Sequence, residues 1–502
     1  MDLLHNLGIG FGVALTAQSL LYALFGAALG TLIGVLPGIG PVAMIALLLP
    51  ALYALDATPA LIMLAAVYYG AQFGASTTAI LLKVPGESIS GVTAIDGCQM
   101  ARQGRAGSAL SVAAIGSFFA GCVGTLVIAV FASPLAELAF RFGPAEYFSL
   151  MVLGLVGVVA FASGSFVKGV AMILLGLLLA QVNTDPISGT PRYSFDMPQL
   201  AGGVGFVVVA IGVFGATEII ANLGRAAGRR EVVKRGVRSL WPTMHDFREA
   251  WPSVLRGTAL GSVLGLLPGS GALLASFASY AAEKKLTRDP RIPFGKGAIQ
   301  GVAGPESANH AAAQTSFIPM LAFGIPPNAV MALMIGAMVI KGIHPGPQVM
   351  TSQPQLFWGL IASMWVGNLM LLVLNLPLAG LWSRLLTVPY RLLFPAIVLL
   401  GCIGVYALGQ RTFDVYLMAL FAFIGYVFFK LGCEAAPLLL GFILEPMMEE
   451  NLRRALLFSG GDWKTFVTRP LSSGLLVAAA LLIVIVTLPS IKQKREAAFQ
   501  ED

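Results

Sequence analysis

From Leu20 to Leu55 the chain carries no charged side chain, and charge-free runs recur from Pro59 to Leu82, Ser108 to Ala132, Leu356 to Leu376 and Leu471 to Leu488. A helix that crosses a bilayer needs about 20 mostly apolar residues, so each run is long enough, or nearly so, to cross. Only 11% of the 502 residues are charged and 57% are hydrophobic, where a soluble domain has about 25% charged residues. Such a chain cannot clothe a water-facing surface. Membrane β-strands alternate apolar and polar residues, and "GVAMILLGLLLA" from Gly169 to Ala180 does not. The expectation is an all-α polytopic membrane protein with about 10 to 12 transmembrane helices.

The cysteines Cys98, Cys122, Cys402 and Cys433 show no C-x-x-C spacing, so neither a zinc site nor a disulfide framework is indicated. Met1 to Asn6 contains no lysine or arginine, so the basic start of a cleavable signal peptide is missing and the N-terminus is expected to be retained. The net charge of +7 comes from basic residues in loops between apolar runs; topology explains it better than nucleic acid. Arg225 to Arg248, Lys284 to Lys296 and Lys492 to Arg495 are the basic clusters, and all three are expected in the cytoplasm. Val254 to Ala282, between the first two, is short for two full spans and is expected to form a re-entrant hairpin. Asn183 to Pro198 reads as an extracytoplasmic turn.

Self-comparison reveals a repeat. Gly30 to Gly40 reads "GTLIGVLPGIG" and Gly261 to Gly271 reads "GSVLGLLPGSG", with six of eleven positions identical and no gap. Residues 1–222 and 251–470 are thus expected to be related halves, joined by a basic cytoplasmic loop at 223–250 and followed by a C-terminal helix and basic tail at 471–502. An inverted pair is the working expectation, although the pattern alone does not distinguish inverted from parallel halves.

Inside lipid every backbone polar group needs a partner, so a Pro-Gly break in an apolar run is tolerated only beside protein or a water-filled cavity. Pro37, Gly38 and Gly40 form one such break, and Pro268, Gly269, Ser270 and Gly271 the other. A half-helix that starts after a break offers free amides to a carboxylate, while the carbonyls that end the preceding one suit a cation. Glycines that merely allow helices to pack closely are the plainer explanation.

A polar island follows each break. The first runs from Tyr68 to Ser88 and includes Gln72, Ser76, Thr77 and Thr78; the second runs from Gly304 to Asn328 and includes Ser307, Asn309, His310, Gln314, Thr315 and Ser316, then Gly324, Pro326 and Asn328. Hydroxyls and amides suit a carboxylate or a sodium ion that must bind and leave repeatedly. A lone serine or threonine in a membrane helix more often bonds back to its own backbone. Lys83, Glu87, Asp96, Lys168, Glu218 and Glu306 are the charges nearest apolar runs. Lys83 and Glu306 are candidates to meet substrate or ion, with snorkelling as the alternative; His310 is either a proton shuttle or a satisfied core histidine.

These stretches resemble the large membrane subunit of the tripartite tricarboxylate transporters, the TctA family. The likeness lies in "GVLPGIGPVAMIALLLP", "YYGAQFGASTTAILLKVPGESISGVTAIDG", "GLLPGSGALLASFASYAAEKK" and "GPESANHAAAQTSFIPMLAFGIPPNAVMALMIGAMVIKGIHPGPQV". It implies a permease of the bacterial inner membrane. Its partners would be a small transmembrane subunit and a periplasmic solute-binding protein that delivers a carboxylate substrate. It would work as a secondary transporter coupled to an ion gradient, commonly Na+, with no cofactor. The absence of a G-x-x-x-x-G-K-[ST] phosphate loop agrees. His310 and Pro327 depart from the family pattern, which has asparagine and glycine or serine there. An intramembrane lipid-processing enzyme is the competing class, but it wants clustered acidic residues or histidines, and neither D-D-x-x-D nor H-E-x-x-H occurs. A binding-protein-independent carrier is a further alternative.

Overall fold

The computed structural model describes residues 3–36, 40–82, 87–161, 165–185, 187–223, 242–269, 271–288, 290–378, 381–382 and 390–488. Pro37, Gly38, Lys83, Ser270, the basic loop from Arg225 to Arg238 and the tail cluster Lys492 to Arg495 lie outside the described residues.

The described chain is a helical assembly. In the first half follow α1 (Leu3–Ala14), α2 (Ala17–Val35), α3 (Pro41–Leu48) with a 3-10 turn (Leu49–Ala54), α4 (Ala57–Leu82), α5 (Gly91–Arg102), α6 (Ala106–Ala139), α7 (Pro144–Phe161) and α8 (Phe166–Ala180). A rod made of α9 (Phe206–Ala210), a π-helical stretch (Ile211–Ala216) and α10 (Thr217–Leu223) closes this half. Next come α11 (Met244–Leu264), α12 (Gly271–Leu286), α13 (Gln300–Thr315), α14 (Phe317–Phe323), α15 (Ala329–Ile340), α16 (Gln348–Ser352) and α17 (Pro354–Asn375). The last are α18 (Tyr390–Gly409), α19 (Thr412–Lys430), α20 (Ala435–Phe458), α21 (Thr465–Thr468) and α22 (Pro470–Thr487).

Seven of the described helices, α2, α4, α6, α7, α17, α19 and α22, are long and apolar enough to cross a membrane. The apolar stretch from Gly297 to Gly324 is not one rod: it is interrupted at Ser316, between α13 and α14. Helix onset also follows capping rather than hydropathy. The hairpin expected from Val254 begins ten residues earlier, at Met244, because Thr243 and Asp246 form a reciprocal capping box there. Lys284 and Lys285 belong to the last turn of α12, where positive charge suits the helix dipole.

Glycines bring two helix pairs to backbone contact. A methyl group placed on Gly26, Gly30 or Gly34 of α2 would strike the carbonyl of Met63, Val67 or Ala71 of α4. One on Gly257 or Gly261 of α11, or on Gly265 that caps it, would strike Gly304, Ala308 or Ala312 of α13. In both pairs the numbers rise together, so the helices run parallel, and in both the intervening α3 or α12 leads back. Small residues at every fourth position are the usual way for membrane helices to approach closely. By contrast, α4 and α13 meet antiparallel: Phe73 stacks edge-on to His310 and Ser76 meets Glu306.

A second group of charges lies elsewhere. Between α8 and α9 a hairpin pairs Asn183–Thr184 with Pro191–Arg192, and it is moored to α20 by Asp185 to Arg453 (2.6 Å) and Arg192 to Glu449 (2.8 Å).

Candidate functional site

Helix α4 positions the centre. Every residue of its membrane-crossing window is buried, yet it carries Tyr68, Gln72, Ser76, Thr77 and Thr78. Facing it, α13 has Glu306, Ser307, Asn309, His310 and Gln314, all at 1% exposure or less. Polar residues are costly in lipid, so a helix rich in them is driven to the interior of the bundle.

The expected site residues separate into two groups. Thr77 bonds back to Phe73 (3.3 Å), Thr78 to Ala75 (2.8 Å) and Thr315 to Ala311 (3.0 Å), all backbone carbonyls of their own helices. Ser76 bonds back to Gln72 (2.9 Å) and also lies 2.5 Å from Glu306 Oε2. Asn309 has both side-chain polar atoms buried with no protein partner. Gln314 donates to Asn368 Oδ1 at 3.5 Å and leaves its own Oε1 unpartnered.

Backbone hydrogen bonds hold the described residues of the breaks. Gly269, at φ +98°, takes a backbone conformation that favours glycine, and its N–H donates to the Pro327 carbonyl at 2.6 Å. The Pro268 ring lies where a Cβ on Gly157 of α7 would be, and Gly271 opens α12. Gly324, at φ +70°, ends α14 in the left-handed conformation. After Pro326, Asn328 caps α15 by accepting from Met331 N–H at 2.9 Å. In the first half the Gly40 N–H, at the start of α3, donates to Glu218 Oε1 at 2.9 Å. The free amide expected to greet a substrate carboxylate is thus held by a carboxylate of the chain itself.

Several residues here escaped the sequence reading. Thr93 of α5 donates to Glu306 Oε1 at 2.6 Å; it lies within the stretch from Tyr68 to Gly97 that carries the family likeness, but it was not singled out there. Asn368 and Asn375 were legible in principle: they lie seven residues apart on otherwise apolar α17, hence on one face. Both are buried with an unpartnered side-chain atom. A cavity of about 20 Å³ touches Ser76, Thr77, Ser117 and Asn375. That is room for about one water.

The model of the tripartite tricarboxylate transporter TctA family matches residues 20–440. The chain belongs to the TctA family. This makes it a multi-pass membrane subunit of a tripartite tricarboxylate transporter. A protein of Agrobacterium vitis, described as an uncharacterized 52.8 kDa protein in the TAR-I ttuC' 3' region, is 55% identical over 502 residues, the whole of both chains. A second from that organism, an uncharacterized protein in the TAR-II ttuC' 3' region, is 58% identical over 242 residues, 48% of this TctA-family chain and all of its own. No solved structure matches.

Proposed function

We propose that this chain is the large permease of a binding-protein-dependent secondary transporter that imports an organic acid anion, of the di- or tricarboxylate class, across the bacterial inner membrane. A periplasmic solute-binding protein delivers the anion, a small transmembrane subunit completes the membrane complex, and a cation gradient, sodium in the first instance, supplies the energy. Family membership supports the tripartite system. The observation that carries the transport site is the buried cluster of unpartnered polar atoms, on Tyr69, Gln72, Ser307, Asn309, His310, Gln314, Asn368 and Asn375, between helices of both halves. Buried polar groups are nearly always partnered, so a cluster of unmet donors and acceptors suits a polar solute that comes and goes.

The helix directions support two inverted halves around this centre. α2 and α4 form a parallel pair, α11 and α13 form another, and α4 faces α13 antiparallel. Inverted repeats with binding at their interface are the usual architecture for alternating access.

The test is uptake into proteoliposomes that contain the chain and its small subunit. Accumulation of a labelled di- or tricarboxylate is expected only with the binding protein outside and an inward sodium gradient. Equal uptake with neither would overturn the tripartite reading.

A further inference from the structure

Glu306 is the one charged residue at the heart of the α4–α13 contact, 1% exposed. Its Oε2 lies 2.5 Å from Ser76 Oγ and its Oε1 2.6 Å from Thr93 Oγ1. Among the described residues no lysine or arginine is within ion-pair distance. The nearest ring nitrogen, His310 Nδ1, is 4.0 Å from Oε2 and is engaged by the Glu306 backbone carbonyl at 3.1 Å. A buried carboxylate without a counter-charge is strongly unfavourable, and removal from water raises the cost.

The hydroxyl geometry points the same way. Ser76 has one hydroxyl hydrogen, yet its oxygen is within bonding distance of two acceptors, the Gln72 carbonyl and the Glu306 carboxylate. The second contact is complete only if a proton sits on the carboxyl or a cation sits among the oxygens. Gln72, one turn earlier on α4, is fully buried with both amide atoms unpartnered, and the small cavity reaches Ser76.

We propose that Glu306, with Ser76 and Thr93, binds the small monovalent cation, proton or sodium, whose gradient drives uptake; this rests on the transporter reading above. Glu87 Oε1 is a further buried carboxylate oxygen with no partner, so the described part of this region is acidic although the substrate is an anion. Cation binding at Glu306 discharges it first, and the anion follows. By linkage each then strengthens the binding of the other.

Of the other titratable groups around Glu306, Asp96 and Glu283 are partnered, while Glu87 Oε1, His310 Nε2 and the Tyr69 hydroxyl are buried without a partner. On α5, Asp96 accepts from the Gly297 and Ala298 amides and from Tyr280. On α12, Glu283 is paired with Arg256 of α11. His310 shares α13, Tyr68 and Tyr69 lie on α4, and Glu87 precedes α5.

The experiment is the melting temperature of the full chain, purified in detergent, with no substrate present. One arm adds sodium chloride against choline chloride at fixed pH; the other raises the pH from about 5 to 9 without sodium, the range over which a buried carboxyl can titrate. The wild type is expected to gain stability with sodium, or to lose it as pH rises if the proton is the cation. Glu306→Gln abolishes whichever response the wild type shows. Thr93→Val weakens sodium binding about tenfold, as one lost contact to a charged group would, or, if the proton is the cation, moves the pH response to higher pH, because a donor to the ionised carboxylate is gone; Thr93→Ser restores the wild-type response. A wild type indifferent to both cations, or a folded Glu306→Gln with an unchanged response, overturns the proposal. Failure of the transport reading looks different: no carboxylate uptake in proteoliposomes while the cation response persists.

Discussion

Helices α4 and α22 both have the length and apolarity of a membrane span, yet an apolar stretch of 18 residues is wholly buried in the first and only 11% buried in the second. The buried one is the more polar: Gln72, Ser76, Thr77 and Thr78 lie within α4, whereas α22 reads "LLVAAALLIVIVT" through most of its length. In water the ranking would be reversed. In a bilayer the lipid tails are as apolar as leucine, so apolar side chains gain little by leaving lipid and polar ones gain much. Burial in this molecule therefore marks polarity and close backbone packing, and the proposed transport centre lies where the two coincide.

The largest effect should come from the close packing. Gly30→Leu drives a side chain into the Val67 backbone of α4, and Gly261→Leu does the same to the Ala308 backbone of α13, so in each case the helices must part. Either substitution is expected to cost about 3 kcal/mol or more, seen as loss of the monodisperse peak in size-exclusion chromatography. A normal peak and melting temperature would break the comparison.

Asn309→Leu, a swap of similar volume, sharpens it. Uptake should fall about 100-fold, the size of two lost hydrogen bonds of about 1.4 kcal/mol each. The melting temperature should stay level or rise, because a buried polar group with no partner is removed. Unchanged uptake would show that the polar centre of α13 is not where the solute binds.

Charges at the rim behave differently from Glu306, because they are paired. The Arg453 guanidinium, with the Ser188 and Ile187 amides, holds the Asp185 carboxyl well below the usual carboxylate range. A carboxyl depressed in the folded state contributes stability that is fully present above its unfolded value of about 3.9 and is lost as pH falls through the folded value. The wild-type melting temperature should therefore drop more steeply on acidification below about pH 4 than that of Asp185→Asn. Parallel curves for the two would remove the ion pair from the account. The smallest effect belongs to α22: Leu481→Ala, at a side chain 56% exposed, should change stability by no more than about 0.5 kcal/mol.

Much of this was legible in the sequence because lipid makes composition decisive. Long charge-free runs pointed to the all-helical membrane class, and Gly26, Gly30 and Gly34 stand in register with Gly257, Gly261 and Gly265 before any folding is considered. Pairings across the chain were not legible. Thr93 is an ordinary threonine until folding brings it to Glu306, and Glu218 reaches Gly40 only because the rod from Phe206 to Leu223 crosses the start of α3. The backbone bonds of Thr77, Thr78 and Thr315 show the other limit: a hydroxyl in a helix has a carbonyl of its own turn within reach, and the sequence does not say which partner it takes.

The central claim is that the solute passes between α4 and α13. The most direct measurement places Asn309→Cys in a chain whose four native cysteines are replaced by serine or alanine, and follows its labelling by a small thiol reagent in proteoliposomes. Labelling is expected only under transporting conditions, and it should be slowed by the transported carboxylate in the presence of its binding protein. A labelling rate indifferent to substrate and binding protein would contradict the account.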